Sequence, residues 1–252
     1  MLMLRMNTPS NLARKNQQGF SLIEMAIVTV IVGALLGGLL LSVAALRENN
    51  LRNEAELKIE EIIEALYGYA QTNGRLPCPA TFDSDGAENP VGGGNCVRDD
   101  AFVPAATLGL SGAVNGDGLL VDPWQNPYRY SVSDVSTNAF TSTPVIAPPA
   151  GIRGFWPALA GDLRVCAEAA CTNIVGNQIP AVVLSQGTDW AEFTGADADA
   201  TENAEATRSG YRHNNDLNFV STNYIEDVYD DIISWVSPNL LYTRMISAGQ
   251  LP

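Results

Sequence analysis

The sequence predicts an α+β protein: one long N-terminal helix leading into a β-rich head with long loops. Three observations predict it. From Phe20 to Leu46 the chain is apolar, with Glu24 as its only charge. From Leu51 to Ala70 apolar residues recur at intervals of three and four, opposite charged ones, which is the stripe of an amphipathic helix. Beyond Gly74 prolines, glycines and short alternating apolar runs replace that period, which excludes further long helix and points to strands joined by turns.

The chain opens with residues 1–18, which carry Arg5, Arg14 and Lys15 and no acid. A secretory signal places its cleavage site after the apolar region, at small residues, and none follows here. As a helix rising 1.5 Å per residue, Phe20–Leu46 spans about 40 Å, more than the roughly 30 Å hydrocarbon core of a bilayer. One membrane pass is therefore expected. Positive charge ahead of the run orients the N-terminus to the cytoplasm and the remainder outside.

The stretch Gln18-Gly19-Phe20-Ser21-Leu22-Ile23-Glu24-Met25, behind a basic leader and opening an apolar helix, resembles the N-terminus of type IV prepilins, including the pseudopilins of type II secretion. The resemblance implies that prepilin peptidase cuts between Gly19 and Phe20 and that Phe20 becomes N-methylated. It also implies partners: other pilin or pseudopilin subunits, an inner-membrane assembly platform and the inner membrane itself. The motif is the peptidase's substrate and implies no catalysis by this chain. The expected divisions are a cleaved leader (1–19), a transmembrane and assembly helix (20–46), an amphipathic helix (47–73) and a periplasmic head (74–252), extracellular if a pilus forms.

Glu24 carries its own physical argument. A carboxylate inside an apolar segment costs several kcal/mol and needs a cationic partner. Cleavage after Gly19 creates an amino group at Phe20, in the same chain or a neighbouring subunit. The resemblance implies the intersubunit pairing, with Glu24 setting the register of each incoming subunit. Gly33 and Gly37 add a GxxxG spacing, a weak signal for close helix approach in membranes.

Beyond Leu46 no proline or glycine intervenes before Gly68, so a single helix of about 50 residues is expected, ending near Asn73-Gly74, a C-cap pair. The pilin resemblance implies that its second half packs against an antiparallel sheet, completing a pilin-like fold.

The head is strongly acidic. The chain carries 14 basic and 28 acidic residues, a net charge of −14; without residues 1–19, eleven basic residues remain and the balance falls to −17. Nucleic acid, which is bound by neutralising phosphates, is excluded as a partner class. Basic surfaces and divalent cations fit better.

Within the head, Asp83, Asp85 and Glu88 resemble the opening of a calcium loop but lack the twelve-residue spacing, so Asp-Gly turn chemistry is expected at Asp85-Gly86. Asp122-Pro-Trp-Gln-Asn-Pro-Tyr-Arg-Tyr130 resembles a stretch of the major pseudopilin; two turns lead into a strand in which Tyr128, Tyr130 and Val132 alternate, and Trp124 supplies a large buried face. Residues 137–162 read as a long ordered loop. Arg164–Cys171 reads as a disulfide-closed hairpin, Ala181–Ser185 and Asn218–Ser221 as strands, and Glu226–Trp235 as the closing strand. Leu240–Leu251 reads as a short amphipathic helix. Between them, Asp189–Glu205 is expected to be a solvated flexible loop. Its Asp189, Asp197 and Asp199 are the candidate metal ligands, because the resemblance implies calcium in the loops around the last strands.

Cys78, Cys96, Cys166 and Cys171 all fall in the exported part, as an oxidising compartment allows. Three pairings exist. Short intervening loops favour Cys78 with Cys96 and Cys166 with Cys171, and a closed loop of eighteen residues contributes roughly 3 kcal/mol by chain entropy. Zinc is disfavoured by the lack of a CxxC pair or nearby histidine. Catalysis is disfavoured too: His213 is the only histidine, and no nucleophile elbow or phosphate loop is present. Two function classes remain: a structural filament subunit, and a membrane-anchored or tip-located binding module with an acidic head.

Overall fold

The computed structural model describes residues 19–144, 150–188, 198–204, 217–225 and 229–252; the side chains of residues 36–45, 200, 201 and 204 are outside the description. The chain divides into two compact units, Met1–Glu48 and Asn49–Pro252. A 52-residue helix, α1 (Leu22–Asn73), begins in the first and ends in the second. In order follow β1 (Asp100–Phe102), α2 (Ala105–Leu108), β2 (Arg129–Val132), α3 (Val135–Asn138), α4 (Gly151–Phe155), β3 (Leu163–Cys166), β4 (Ile174–Ile179), β5 (Ala181–Ser185), α5 (Ala198–Ala204), β6 (Asn218–Val220), β7 (Ile232–Trp235) and α6 (Pro238–Ser247).

The second unit is built on the stripe read from the sequence. Ala55, Ile59, Ile62, Leu66 and Ala70 are wholly buried, joined by Tyr67, and Leu51 at the margin is half-buried. They pack on one face of a four-stranded antiparallel sheet, order β1-β2-β5-β7, through Tyr130, Val132, Ala181, Val183 and Ile232. Register explains that face: Tyr130 lies opposite Val183 and Val132 opposite Ala181, and alternate residues share a face. The other face is buried as well. Val182, Leu184, Ile233 and Trp235 meet Leu163, Val165, Ile179 and Phe219 of a second sheet, order β4-β3-β6.

The expectation of one antiparallel sheet is therefore incomplete. β3 and β6 run parallel, with Val165 opposite Phe219. A parallel pair requires a long crossover, which β4, β5 and α5 supply. Arg129 and Ser131, the polar members of the β2 alternation, point to the covered face and are 2 % exposed. Ser131 Oγ donates to Asp100 Oδ1 at 2.7 Å, and the Arg129 guanidinium lies 3.4 Å from the same oxygen. Trp124 is half-buried against the core rather than enclosed.

α1 ends where glycine permits it. Gly74 has φ 72° and donates to Ala70 O at 2.9 Å; a Cβ there would lie 2.8 Å from Pro144 and 2.9 Å from Gln250. The next residue anchors the turn-rich region. Arg75 and Glu88, 6 % and 4 % exposed, form a bidentate pair with both N···O distances 2.8 Å. Glu88 also accepts the N–H groups of Cys78 and Gly92 and the Tyr69 hydroxyl, each at 3.1 Å. Burial alone raises the Glu88 pKa, but the Arg75 bonds outweigh it and hold the carboxyl below its ordinary value. Glu88, weighed from sequence as part of a calcium loop, is thus bound to an arginine; Asp85-Gly86 makes the expected turn with φ 51° and 70°.

Both expected disulfides are present. Cys78–Cys96 has a Cα separation of 5.4 Å and closes the loop that begins at the ion pair; Cys166–Cys171 has 5.1 Å and closes the β3–β4 hairpin. In the acidic segment the expectation of a solvated loop fails where it is described: Ala198–Ala204 is helix, and Asn203 within it is 1 % exposed. Small helix-forming alanines and one amide with buried partners outweigh the charge. α6 docks on the last turns of α1, with Leu241, Met245 and Leu251 in the core and Arg244 bidentate to Glu64 at 2.7 and 2.9 Å.

A further buried carboxyl fastens β5 to the loop entering β2. Asp122, 2 % exposed, accepts N–H bonds from Trp124 at 3.0 Å and Asn126 at 2.8 Å, and the Ser185 hydroxyl at 2.6 Å. Burial pushes its pKa from 3.8 up to about 6 despite these donors.

Two predictions follow from the buried acids. Glu88→Ala leaves Arg75 charged and unpaired, and urea unfolding should show a loss of about 3–5 kcal/mol. Asp122 has its pKa raised on folding, so its contribution is fully present below about pH 4 and lost as pH rises through about 6. Unfolding free energies of the wild type, taken relative to Asp122→Asn, should therefore rise by on the order of 2–3 kcal/mol between pH 7 and pH 4; a flat difference would show that Asp122 titrates as in the unfolded chain.

Candidate processing and assembly site

Gly19, Phe20 and Ser21 precede the first turn of α1 and are non-helical and exposed. The helix starts at Leu22 because its orphan N–H groups find partners there. Ser21 Oγ accepts the Ile23 N–H at 3.3 Å, and the Glu24 carboxylate reaches back to the Ser21 N–H at 3.2 Å. This is a capping box, with Ser21 at the N-cap and Glu24 at the third helical position. A carboxylate in the first turn also meets the positive end of the helix dipole. The Ser-x-x-Glu spacing stood in the sequence, but the apolar setting drew the reading of Glu24 to its charge alone.

Past the cap the helix is apolar around its whole circumference. Leu22, Ile23, Met25, Ile27, Val28, Val30, Ile31, Val32 and Leu35 are all exposed, Leu22 at 92 %, as is Phe20 just ahead of the cap at 81 %. A globular helix confines such residues to one stripe; apolarity on every side marks a helix made to be surrounded, by lipid or by other helices. Thr29 turns its hydroxyl back to the carbonyls of Met25 and Ala26, both at 2.9 Å, so it presents no unmet donor. At Gly33 a Cβ would meet nothing within 4 Å, leaving a small-residue notch on the surface.

Among the described residues no helix is long and apolar enough to cross a membrane. The helical residues with described side chains, 22–35, cover about 21 Å, short of the roughly 30 Å hydrocarbon core. The rest of the apolar run, to Leu46, includes side chains outside the description.

The other expected site residues disperse. The four cysteines are structural. Of the candidate calcium ligands, Asp189 and Asp197 lie outside the described residues, as does His213. Asp199 sits in α5 and accepts the Ala169 N–H at 2.7 Å. Among the described residues no group of three or more His, Cys, Asp or Glu side chains is arranged to hold a metal ion. Sequence reasoning missed Arg75 and Asn203, whose partners are far away in sequence or flanked by turns that carry no period.

Comparison with known families gives one finding at this site: residues 14–40 match the family described as the prokaryotic N-terminal methylation motif. Comparisons with curated proteins and with solved structures give no match. The matched segment begins in the basic stretch at Arg14 and contains the Gly19-Phe20 bond, the capping box and the first part of the apolar helix. That motif belongs to structural, pilin-type chains that prepilin peptidase processes, not to enzymes. With a long N-terminal helix packed on an antiparallel sheet and two disulfides, the chain is an α+β protein carrying the prokaryotic N-terminal methylation motif, consistent with the type IV prepilin and pseudopilin family.

Proposed function

We propose that the chain is a structural subunit, cut by prepilin peptidase between Gly19 and Phe20, methylated on the new Phe20 amine, and assembled through its N-terminal helix into a type IV pilus or a type II secretion pseudopilus. The observation that carries this reading is the capped helix, apolar on every described side from Leu22 to Leu35, with Glu24 as the single charge there. Before assembly the inner membrane covers that surface, with the N-terminus cytoplasmic and the head periplasmic. In the filament the helices of neighbouring subunits cover it.

Glu24 is the selective element in this scheme. Its carboxylate caps its own helix through the Ser21 N–H, a neutral donor that leaves the charge unmatched. A neighbouring subunit's Phe20 amine supplies a cation, and pairing in low dielectric is worth far more than the cap. The incoming subunit therefore stops where that amine reaches Glu24. The α6 helix, the segment 137–162 and the strongly acidic head favour a specialised subunit, scarce in sheared fibres and needed for initiation or adhesion, over the main filament component.

Intact mass of the membrane-extracted protein, from cells with and without prepilin peptidase, tests the assignment. Loss of residues 1–19 and gain of one methyl are expected only where the peptidase is present, whereas the loss of four hydrogens to the two disulfides is expected in both strains. An uncut mass in both strains would leave an anchored ectodomain with a binding role. Glu24→Ala should be cut like the wild type yet fail to enter fibres, measured as the sheared against the membrane fraction; undiminished assembly would remove Glu24 from the register.

A further inference from the structure

The loops around the last strands converge on one side chain. Asn203 of α5 is 1 % exposed, and three oxygens surround its side-chain nitrogen: Val220 O at 2.7 Å, Asp231 Oδ2 at 2.9 Å and Tyr229 Oη at 3.3 Å. Its side-chain oxygen accepts the Val220 N–H at 2.8 Å, and its main-chain oxygen accepts the Gln186 amide at 3.3 Å. One residue thus joins α5, β6, the approach to β7 and the exit of β5. The Tyr229 hydroxyl closes the ring by donating to Val220 O at 2.7 Å.

A carboxylate, a carbonyl and a hydroxyl gathered from separate loops are the ligands a hard divalent cation takes, at about 2.3–2.6 Å. Here they surround the positive hydrogens of an amide at hydrogen-bond distance. The described acids fit such a cation poorly, since Asp231 already accepts the Asn203 amide and Asp199 accepts a main-chain N–H of the β3–β4 hairpin.

We propose that the Asn203 amide does in this head the work of a divalent cation, gathering the closing loops through a buried oxygen cage and making their order independent of metal. The amide satisfies both of its polar ends, as a buried polar group must. It carries no charge, so it spares the fold the desolvation of an ion. It also accounts for a seven-residue helix holding its place within an acidic segment: α5 is tied at Asn203, and Asp199 ties it again to the β3–β4 hairpin through Ala169.

Thermal unfolding of the full chain in detergent, with EGTA or with millimolar calcium chloride, tests this apart from any question of processing. The wild type should melt at the same temperature in both, to within about 1 °C. Asn203→Ala should melt roughly 5–15 °C lower in both, from the buried partners left unmet. Asn203→Asp sets a second carboxylate against Asp231; it should melt low in EGTA and recover on adding calcium, the ion replacing the lost amide. Should Asn203→Ala fail to fold, Tyr229→Phe removes one oxygen of the cage and should show a smaller, equally calcium-blind loss. A wild-type melting point that falls on chelation would overturn the proposal. So would Asn203→Ala melting with the wild type, or Asn203→Asp ignoring calcium.

Discussion

The interaction on which the head depends is the buried pair of Arg75 and Glu88. It stands at the point where helical period ends and turns begin, and so settles what the turns do. Two charged bonds, two main-chain N–H donors and the Tyr69 hydroxyl meet at one carboxylate. Desolvation of two charges is repaid only when every lone pair has a partner, and Glu88 satisfies that condition. Because Cys78 and Gly92 are among its donors, the same group fixes both arms of the loop that Cys78–Cys96 closes. With α1 and that loop held, β1 is set beside β2, and the sheet has its first edge.

A second constraint acts on the sheet itself. Both of its faces are covered, one by α1 and one by the smaller sheet, so polar residues of the strands cannot turn to water. They turn to each other: Arg129, Ser131 and Asp100 on one side, and Asp122 with Ser185 at the end of β5. Glu88 and Asp122, two of the buried carboxyls, respond to burial in opposite ways. Glu88, beside a cation, is held below its ordinary pKa, whereas Asp122, met only by neutral donors, is raised to about 6. Burial is common to both; the sign is decided by the partner.

What was legible in the sequence follows from the range of the forces. Helix α1 ends at Asn73 as Asn73-Gly74 indicates, because caps are local. The stripe from Ala55 to Ala70, the strands Ala181–Ser185 and Asn218–Val220 and both disulfides were also readable, since each depends on a period or a short loop. The parallel pairing of β3 with β6 was not, because nothing in either strand encodes a crossover. Nor was Asn203: an asparagine among acids and alanines reads as loop until its partners, 17 to 28 positions away, are known. At the N-terminus the Ser21–Glu24 cap was present in the letters and overlooked, since a carboxylate in apolar surroundings has two physical readings and the charge is the louder.

The docking of α6 has a consequence for the order in which the head is made. Its Met245, with Leu251 just beyond it, completes the core that α1 opens at Ala55, and the Gln250 amide donates to the carbonyls of Gln71 and Thr72. Contacts between segments about 180 positions apart close late, after the loops between them have paid their entropy. Without residues 238–251 the head is a helix and a sheet with an open seam. Until residues 238–251 reach it, the apolar side chains of that seam have only water to face, so the docking of this segment is the step that turns a collapsed head into a sealed one.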